Sequence, residues 1–250
     1  MEIVNSSGGY GADYRTDVYE GKISGKSPAS ISCLNRTIAT GAEVDVSLAD
    51  PNLSQNLQDV AIDFDMICAD PLDTALGSGA QLLLIFATDS TGAVVTLFQT
   101  TNGGTTQLAT QYRRIFRAVV LETGSGNKNA GIITFVERSG GRVHLHMETG
   151  KSNTFSNIYP IPLGKVARVG KVLGYVSEKD TVTIVPIQRL RNGTLINGQD
   201  FPIHEGHFSE DLWDPAPISE LQDIVIRAEK IGGGATAFLS AIFEITLTDT

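Results

Sequence analysis

The sequence predicts an all-β protein: an antiparallel β-sandwich or jelly roll, or two such sandwiches packed together, preceded by an extended N-terminal arm. Roughly fourteen short segments with β-type patterning follow one another at regular spacing. Clusters of glycine, proline and asparagine separate these segments, and the chain has 26 glycines. Helical periodicity is almost absent. Many short strands between frequent turns are typical of sandwich or jelly-roll packing.

Length and composition are compatible with one domain or two. The chain has 250 residues, of which 41% are hydrophobic and 19% are charged. This composition suits a folded protein and does not suit a disordered one. One large β domain and two smaller ones both fit the length. We predict an N-terminal arm over residues 1–29 and a β-sandwich over 30–250, with alternative internal boundaries near 49–59 or 121–129.

The N-terminal part of the chain begins with few apolar residues and then becomes β-like. Residues 1–29 are rich in glycine, serine and tyrosine, which predicts an extended arm that becomes ordered by lying on another surface. Segments 30–38 and 43–48 predict two strands joined by the turn 39–42. The following segment, 49–59, is polar and contains proline, so we expect a loop there.

Three strands are predicted in the next part of the chain. Segment 60–68 alternates apolar and polar residues, which predicts a strand that is buried on one face. Segment 81–88 is continuously apolar and therefore predicts a strand that is buried on both faces. The turn 89–92 leads into the strand 93–99 as a hairpin.

The C-terminal half continues the same pattern. The remaining predicted strands cover 112–121, 130–137, 142–148, 155–161, 165–176, 180–190, 222–228 and 235–247. Only 218–223, which follows a proline, predicts a helical turn. In the last strand, apolar residues recur at the odd positions, including Phe243 and Ile245, and we expect these to face the core.

Charge argues against nucleic acid and membranes as partners. With 19 basic and 28 acidic residues, the formal net charge is −9, which repels phosphates and anionic membrane surfaces. The strongest basic cluster is Arg113, Arg114 and Arg117. Strand geometry predicts that Arg113 and Arg117 share one face while Arg114 lies on the other, so the cluster is divided.

Compartment signals predict a soluble cytoplasmic product. The N-terminus has no basic segment followed by an apolar one, so a secretory signal is not expected. The longest apolar run, 82–87, is too short to span a bilayer. Cys33 and Cys68 lie in apolar strand-like segments and are predicted to be small buried hydrophobic residues; a disulfide between them is the less favoured alternative.

The sharpest catalytic hypothesis is a metal site. His144, His146 and Glu148 alternate along one predicted strand, and a period of two would place three potential ligands on one face. His204 and His207 could supply further ligands. Cupins, which are metal-binding jelly rolls, use a His-x-His pair, but here Glu148 follows the pair too closely and the second cupin motif is absent. A row of polar residues on a sheet is the commoner explanation.

No other catalytic or cofactor signature is complete. The nucleophile elbow Gly-x-Ser-x-Gly is missing. Segment 164–171 approaches a phosphate-binding loop, but it has one residue too many between its glycines, and Val172 stands where serine or threonine is required. We therefore predict no catalytic residues and no cofactor.

The order of turns and strands resembles a family of β-rich virion structural proteins of tailed bacteriophages, many from aquatic podovirus-like genomes. Three motifs in sequence carry the resemblance, which covers residues 60–250: a turn before a buried strand, a step that starts another strand, and a later proline turn. Their residues here are Asp73, Thr74, Gly77, Gly79 and Ala80; Asn129, Gly131 and Ile132; and Tyr159, Pro162, Gly164 and Lys165.

The resemblance implies a non-enzymatic structural protein. It points to a head-decoration or capsid-attached protein that binds and stabilises neighbouring capsid subunits. The implied partners are the major capsid protein or other virion subunits and further copies of this chain, with a trimer favoured. The implied location is the virion, assembled in the host cytoplasm, and the N-terminal arm is a natural clamp onto neighbouring subunits.

Two alternatives belong to other functional classes. A tail or head appendage would use a similar fold to bind a receptor or glycan on the host surface. A cupin-like metalloenzyme would depend on His144, His146 and Glu148.

Overall fold

The computed structural model describes residue 18 and residues 20–41, 43–177, 183–191, 194–204, 206–212, 216–232 and 236–250. In chain order its strands are β1 Lys26–Ala39, β2 Val44–Asp45, β3 Phe64–Cys68, β4 Ala80–Thr88, β5 Val94–Thr100, β6 Thr105–Gln107, β7 Arg114–Thr123, β8 Ile133–Glu137, β9 Val143–Met147, β10 Asn153–Phe155, β11 Ile158–Pro160, β12 Lys165–Val176, β13 Thr183–Arg191, β14 Thr194–Ile203, β15 Gly206–Asp211, β16 Asp223–Lys230 and β17 Thr236–Asp249. The prediction of an all-β, antiparallel sandwich fold is confirmed.

The strands form two β-sandwiches, each with its own core. In sandwich 1 the sheet β1–β17–β12–β15 packs on the sheet β11–β16–β13–β14, with β2 paired to β16. Its core includes Ile31, Val172, Ile226, Leu239 and Phe243. Side chains from both sheets meet there, so this core depends on strands from both ends of the chain.

Sandwich 2 is built from the middle of the chain. The sheet β10–β7–β4–β5 packs on the sheet β6–β3–β8–β9. Its core includes Phe64, Met66, Ile85, Ala118 and Phe135. Because sandwich 1 uses strands before and after this stretch, sandwich 2 is an insertion between β2 and β11.

The two predicted internal boundaries fall at different places in this arrangement. Segment 49–59 lies between β2 of sandwich 1 and β3 of sandwich 2, where the chain passes from one core to the other. A short 3-10 helix, Leu53–Gln55, lies in this segment, and Leu53 packs with Ile158 and Val225 in a small third cluster. Segment 121–129 runs from the end of β7 towards β8, within sandwich 2.

The terminal strands pair with each other over a long distance. β1 and β17 are antiparallel, with Lys26 opposite Thr248 and Ala39 opposite Thr236. β1 begins inside the segment 1–29 that was predicted as an arm; residues 1–17 and 19 of that segment lie outside the described residues. Along β17 the odd positions from 237 to 247 are buried, which confirms the predicted core face.

Several local predictions were wrong. The first two predicted strands are present as β1 and β2, but β2 is only two residues long, and they pair with β17 and β16 rather than with each other. The helical turn predicted over 218–223 is absent: Ile218 forms a bridge with Ala167, and β16 begins at Asp223. β14 and β15 were not predicted. Val60 is exposed because its strand begins only at Phe64.

β4 is buried on one face only, contrary to the prediction from its continuous apolar sequence. Leu83, Ile85 and Ala87 lie in the core of sandwich 2. Leu82 and Leu84, on the opposite face, are only partly buried. The sequence therefore provides more apolar surface on this strand than the described part of the chain covers.

The cysteines belong to different cores. Cys33 lies in sandwich 1 and Cys68 in sandwich 2, and both are buried as free thiols. Burial raises the pKa of Cys68 to about 11, so the thiol stays protonated at neutral pH. The described residues include no helix that is long and apolar enough to cross a bilayer.

Candidate functional site

The candidate site is a cleft of about 350 Å³ between the two sandwiches. One wall is β1 of sandwich 1, and the other is the outer face of the sheet β10–β7–β4–β5 of sandwich 2. Its lining residues are Pro28, Ala29, Ser30, Ile31, Phe86, Val94, Phe116, Arg117, Phe155, Ser156, Ile158 and Tyr159. Both β1 and β10 are the outermost strands of their sheets. We call this feature the seam cleft.

Arg117 lies between two aromatic rings in the seam cleft. Strand register places it directly opposite Phe86 of β4 on one side and Phe155 of β10 on the other. Its guanidinium carbon lies 5.1 Å from the centre of the Phe86 ring and 4.8 Å from that of Phe155. These distances are typical of cation–π contacts, which hold a guanidinium without neutralising it.

The guanidinium of Arg117 has no anionic partner in the described part of the chain. Its Nε atom is buried and has no hydrogen-bond acceptor. A buried donor without an acceptor is unfavourable, and a carboxylate accepts from an arginine fork more strongly than a neutral oxygen does. This arrangement suits an anionic group supplied from outside.

Aromatic contacts continue across the seam. Phe116 is the extra residue of a bulge in the β4–β7 pairing, because Phe86 is opposite Arg117 and Ala87 is opposite Ile115. Its ring meets that of Tyr159 of β11 edge to face at 5.7 Å. Burial raises the pKa of Tyr159 to about 12, so its hydroxyl remains a neutral hydrogen-bonding group.

An apolar row extends the seam cleft across the same sheet face. Leu84 is directly opposite Phe98 on β5 and Val119 on β7. Phe98 is 68% exposed, although it is a large aromatic side chain on a strand. Leu82 is opposite Glu122, and the exposed Leu121 is the extra residue between Val120 and Glu122 on β7. We call Leu82, Leu84, Phe98, Val119 and Leu121 the apolar face.

A buried ion pair joins the two sandwiches beside the seam cleft. Arg114 of β7 donates from Nη2 and Nε to Oδ2 of Asp223 on β16, at 2.7 and 3.2 Å. Nη1 donates to the carbonyl oxygens of Gln58 and Arg113. The predicted face assignment was wrong, because the bulge in β7 puts Arg114 and Arg117 on the same face, opposite Thr88 and Phe86. Burial of Arg114 at the junction nevertheless separates it from Arg117 in the cleft.

The candidate metal ligands His144, His146 and Glu148 are not brought together in the described residues, because a bulge interrupts β9. Phe135 is opposite Leu145 and Val136 is opposite Val143, so His144 is the extra residue. It turns inward and is buried against the Phe64 ring at 4.7 Å. His146 remains on the other side of the strand, so His144 does not share the face on which the hypothetical ligand set depended.

His144 belongs to a buried charge cluster instead. Its Nε2 donates to Oε1 of Glu137 at 2.8 Å, and Arg142 donates from Nε to Oε2 of the same carboxylate at 2.8 Å. Burial lowers the pKa of His144, so the ring is neutral. Burial alone would raise the pKa of Glu137, but hydrogen bonds from His144 and Arg142 lower it below its usual value.

The other candidate ligands lie away from His144, although His146 and Glu148 stay together. His146 and Glu148 line a second cleft of about 150 Å³ beside β1, together with Lys151. His207 packs against the ring of Tyr175 on β12, with 4.9 Å between ring centres, and His204 is exposed. Within the described ranges, no three His, Cys, Asp or Glu side chains are arranged to hold a metal ion.

A second buried charge cluster lies in sandwich 1. Asp45 of β2 accepts hydrogen bonds from the backbone N–H and the hydroxyl of Ser54, both at 2.6 Å. Arg227 of β16 lies 3.3 Å from Asp45 and 2.9 Å from Glu43. Burial raises the pKa of Asp45 to about 6 despite these partners. The cluster fixes the short helix Leu53–Gln55 against β16.

The first two motifs of the phage-family resemblance meet at one buried carboxylate. Asp73 accepts hydrogen bonds from the N–H groups of Ala80 at 2.7 Å, Ala130 at 2.8 Å and Gly131 at 2.9 Å. A Cβ at Gly79 would overlap the Asp73 carboxylate, so only glycine fits there. These motif residues shape a loop junction of sandwich 2.

The remaining motif residues are also structural. The Asn129 side chain donates to the carbonyl oxygens of Gly131 and Glu148 and accepts from Lys151 N–H. Gly164 has φ +75°, which favours glycine at that turn. Lys165 forms an ion pair with Asp249. Tyr159 alone among the motif residues lines the seam cleft.

Sequence reasoning missed both the buried Glu137 cluster of sandwich 2 and the Arg117 ladder at the seam. One signal was present: Ile133, Phe135 and Glu137 alternate on the core face of β8, and a carboxylate at a core position requires buried partners. The ladder Phe86–Arg117–Phe155 gave no such signal, because it depends on the pairing of three strands that are distant in sequence.

No protein-family model and no curated protein sequence matches this chain. Among solved structures, infectious bursal disease virus of the Gx strain aligns at 9% identity with a TM-score of 0.27, covering 90% of this chain and 71% of that chain. The Gt strain gives 9% and 0.23, covering 90% and 72%. The VP2 subviral particle of that virus gives 10% and 0.23 over the same shares. Scores this low do not assign the chain to a family.

Proposed function

We propose that this chain is a non-enzymatic structural subunit of a tailed-phage virion, a head-decoration protein that attaches to the capsid and stabilises it. The ordered motifs that resemble phage structural proteins support this proposal. So does the use of those motifs: Asp73, Gly79, Asn129 and Gly131 form a structural junction rather than a reactive site.

The observation that carries the proposal is the uncovered apolar face. β4 has the continuous apolar sequence of a strand buried on both sides, yet only one of its sides is covered by sandwich 2. Monomeric soluble proteins rarely expose contiguous apolar patches larger than a few hundred Å², and larger ones mark interaction sites. Covering Phe98 and Leu84 with another subunit would remove this surface from water and drive association.

The shape of the apolar face favours a protein partner over a small ligand. Phe98, Leu84 and Val119 lie side by side on a sheet, where a flat subunit surface can pack against them. Aromatic residues near the centre of such a surface commonly contribute most of the binding free energy. The partners proposed are the major capsid protein and further copies of this chain, with a trimer as the preferred self-association.

Localisation of the protein in purified particles tests this function. We expect it at a fixed ratio to the major capsid protein by quantitative mass spectrometry, with antibody label over the heads in micrographs. Absence from washed particles would overturn the proposal. Label confined to tails or appendages would favour host-surface binding over capsid attachment.

A further inference from the structure

The seam cleft combines apolar walls with one cation that lacks a counter-charge. Phe86, Phe116, Phe155 and Tyr159 supply the walls. Arg117 supplies the cation, and within the described residues it has ring contacts but no carboxylate. A volume of about 350 Å³ lies at the lower end of the range for specific ligand sites. The chemistry that fits is a carboxylate directly next to aliphatic side chains.

A peptide segment satisfies these requirements better than a glycan. Apart from Arg117, the polar side chains lining the cleft are Ser30, Ser156 and Tyr159, so few hydrogen-bonding groups are present for the many hydroxyls of a sugar. Aliphatic side chains would instead be removed from water against the aromatic walls. A partly buried arginine gains most from a carboxylate that can accept from its fork.

The chain itself contains a segment with this chemistry. Before Val18 it has seventeen residues, in which Glu2, Asp13 and Asp17 outnumber the one basic residue, Arg15. Glu2 is followed directly by two aliphatic residues, Ile3 and Val4. Fully extended, seventeen residues span about 58 Å, which is enough to reach a neighbouring subunit.

We propose that the seam cleft is the receptor for residues 1–17 of a neighbouring copy of this chain, with Glu2 on Arg117 and Ile3 and Val4 against the aromatic walls. The exchange links copies through Arg117 and the aromatic walls of the seam cleft, which adjoin the apolar face on the same sheet. This proposal goes beyond the proposed function, because exchange between copies requires only this protein. Exchange can therefore be disproved even if the protein does attach to phage particles.

A direct test uses a protein that lacks residues 1–17 and a labelled synthetic peptide of those residues. The deletion ends before β1, which begins at Lys26, so it removes no strand of either sandwich that the structure describes. We expect saturable binding with one peptide per chain by fluorescence anisotropy. Arg117→Gln should weaken binding at least about tenfold, and so should Glu2→Gln in the peptide. Arg168→Gln, which removes an exposed arginine on β12, is the charge-matched control and should leave binding unchanged.

Exchange between copies is tested by mixing two variants. One lacks residues 1–17 but keeps the cleft; the other is full length and carries Arg117→Gln. Each supplies what the other lacks, so a crosslinker should join them into mixed dimers more than it joins either variant to itself. Absence of peptide binding, equal binding by the Arg117→Gln protein, or no mixed dimers would each overturn the proposal. Binding of acidic oligosaccharides in preference to the peptide would overturn it in favour of a glycan site.

Discussion

Arg114 and Asp223 form a buried ion pair that joins sandwich 2 to sandwich 1. Two guanidinium nitrogens of Arg114 lie 2.7 and 3.2 Å from one carboxylate oxygen of Asp223, and the side chains are 3% and 6% exposed. Residues 109 positions apart in sequence are thereby held together at the junction beside the seam cleft. The geometry of the cleft depends on this contact, because β7 contributes Arg117 and β16 pairs with the strand that contributes Tyr159.

Asp223→Asn should destabilise the protein strongly. The change leaves the Arg114 charge buried without its main counter-charge, which typically costs about 3–5 kcal/mol in the free energy of unfolding. Asp59→Asn is a matched control, since Asp59 lies 3.8 Å from the same arginine but is half exposed; its effect should stay below about 1 kcal/mol. Urea unfolding followed by circular dichroism measures both. Equal effects of the two changes would show that the buried pair does not lock the junction.

Asp73→Asn should destabilise sandwich 2. An amide cannot accept from all three N–H groups that now point at the carboxylate, and its own NH₂ would oppose one of them. We expect a loss of about 2–4 kcal/mol, in line with leaving buried donors unsatisfied. Asp70→Asn, at an exposed carboxylate that accepts from Leu72 N–H, should cost less than about 1 kcal/mol. A thermal melt of Asp73→Asn that matches the wild type would refute the role assigned to the motif.

The cluster of His144 and Glu137 should make the protein sensitive to acid. Burial lowers the pKa of His144 in the folded state, so below about pH 6.5 the unfolded chain binds a proton that the folded chain does not. Stability is therefore lost as the pH falls from about 6.5. The lowered pKa of Glu137 adds a further loss below its ordinary value of 4.5.

His144→Gln keeps a neutral donor next to Glu137 but removes the titrating ring. We expect its melting temperature to fall less between pH 7.5 and pH 5.5 than that of the wild type, as measured by differential scanning calorimetry. His204→Gln, at an exposed histidine, is the control and should follow the wild type. A larger fall in melting temperature for His144→Gln than for the wild type would contradict this prediction, because it would mean that the buried histidine does not destabilise the folded state as the pH falls.

Asp45 should affect the pH dependence of stability in the opposite direction to His144. Its pKa is raised from 3.8 to about 6 by burial, so between these values the folded state binds a proton that the unfolded state does not. This carboxyl therefore favours the folded state at low pH, and its contribution is lost as the pH rises towards 6. Asp45→Asn removes the titration, and the stability of the variant should rise less than that of the wild type when the pH is lowered from 6 to 4. An unchanged pH profile would mean that Arg227 and Ser54 hold Asp45 ionised throughout.

The sequence predicted the class of fold and the course of its regular strands. β12 runs over the predicted residues, and the buried face of β17 follows the alternation of its side chains. Alternation has a physical cause that is local, so one strand suffices to predict it. The pairing of β1 with β17 joins residues that are far apart in sequence, and neither strand's own sequence identifies the strand with which it pairs.

Bulges explain most of the wrong predictions about which side chains share a strand face at the candidate site. An extra residue in β9 turns His144 inward and separates it from His146, and another in β7 displaces Phe116 relative to Arg117. A single inserted residue reverses the face of the side chains beyond it, so an alternation extended through the bulge assigns the wrong face. The apolar face was hidden for a related reason: the sequence of β4 indicates burial on both sides but cannot indicate which molecule covers the second side.

The central claim is that this chain attaches to a virion through the apolar face. Phe98→Asp places a charge at the centre of that face without entering the core, since Phe98 is 68% exposed. Leu76→Asp is the matched control, because Leu76 is 97% exposed and lies outside the face. Both variants should fold like the wild type, as judged by their thermal melts.

Incorporation of these variants into phage particles is the most direct measurement. Particles produced by a phage that lacks the gene are supplied with wild-type, Phe98→Asp or Leu76→Asp protein, and the copies retained per washed particle are counted by quantitative mass spectrometry. The account predicts at least about tenfold fewer copies for Phe98→Asp and wild-type occupancy for Leu76→Asp. Equal retention of Phe98→Asp and the wild type, or retention of neither the wild type nor the control, would contradict it.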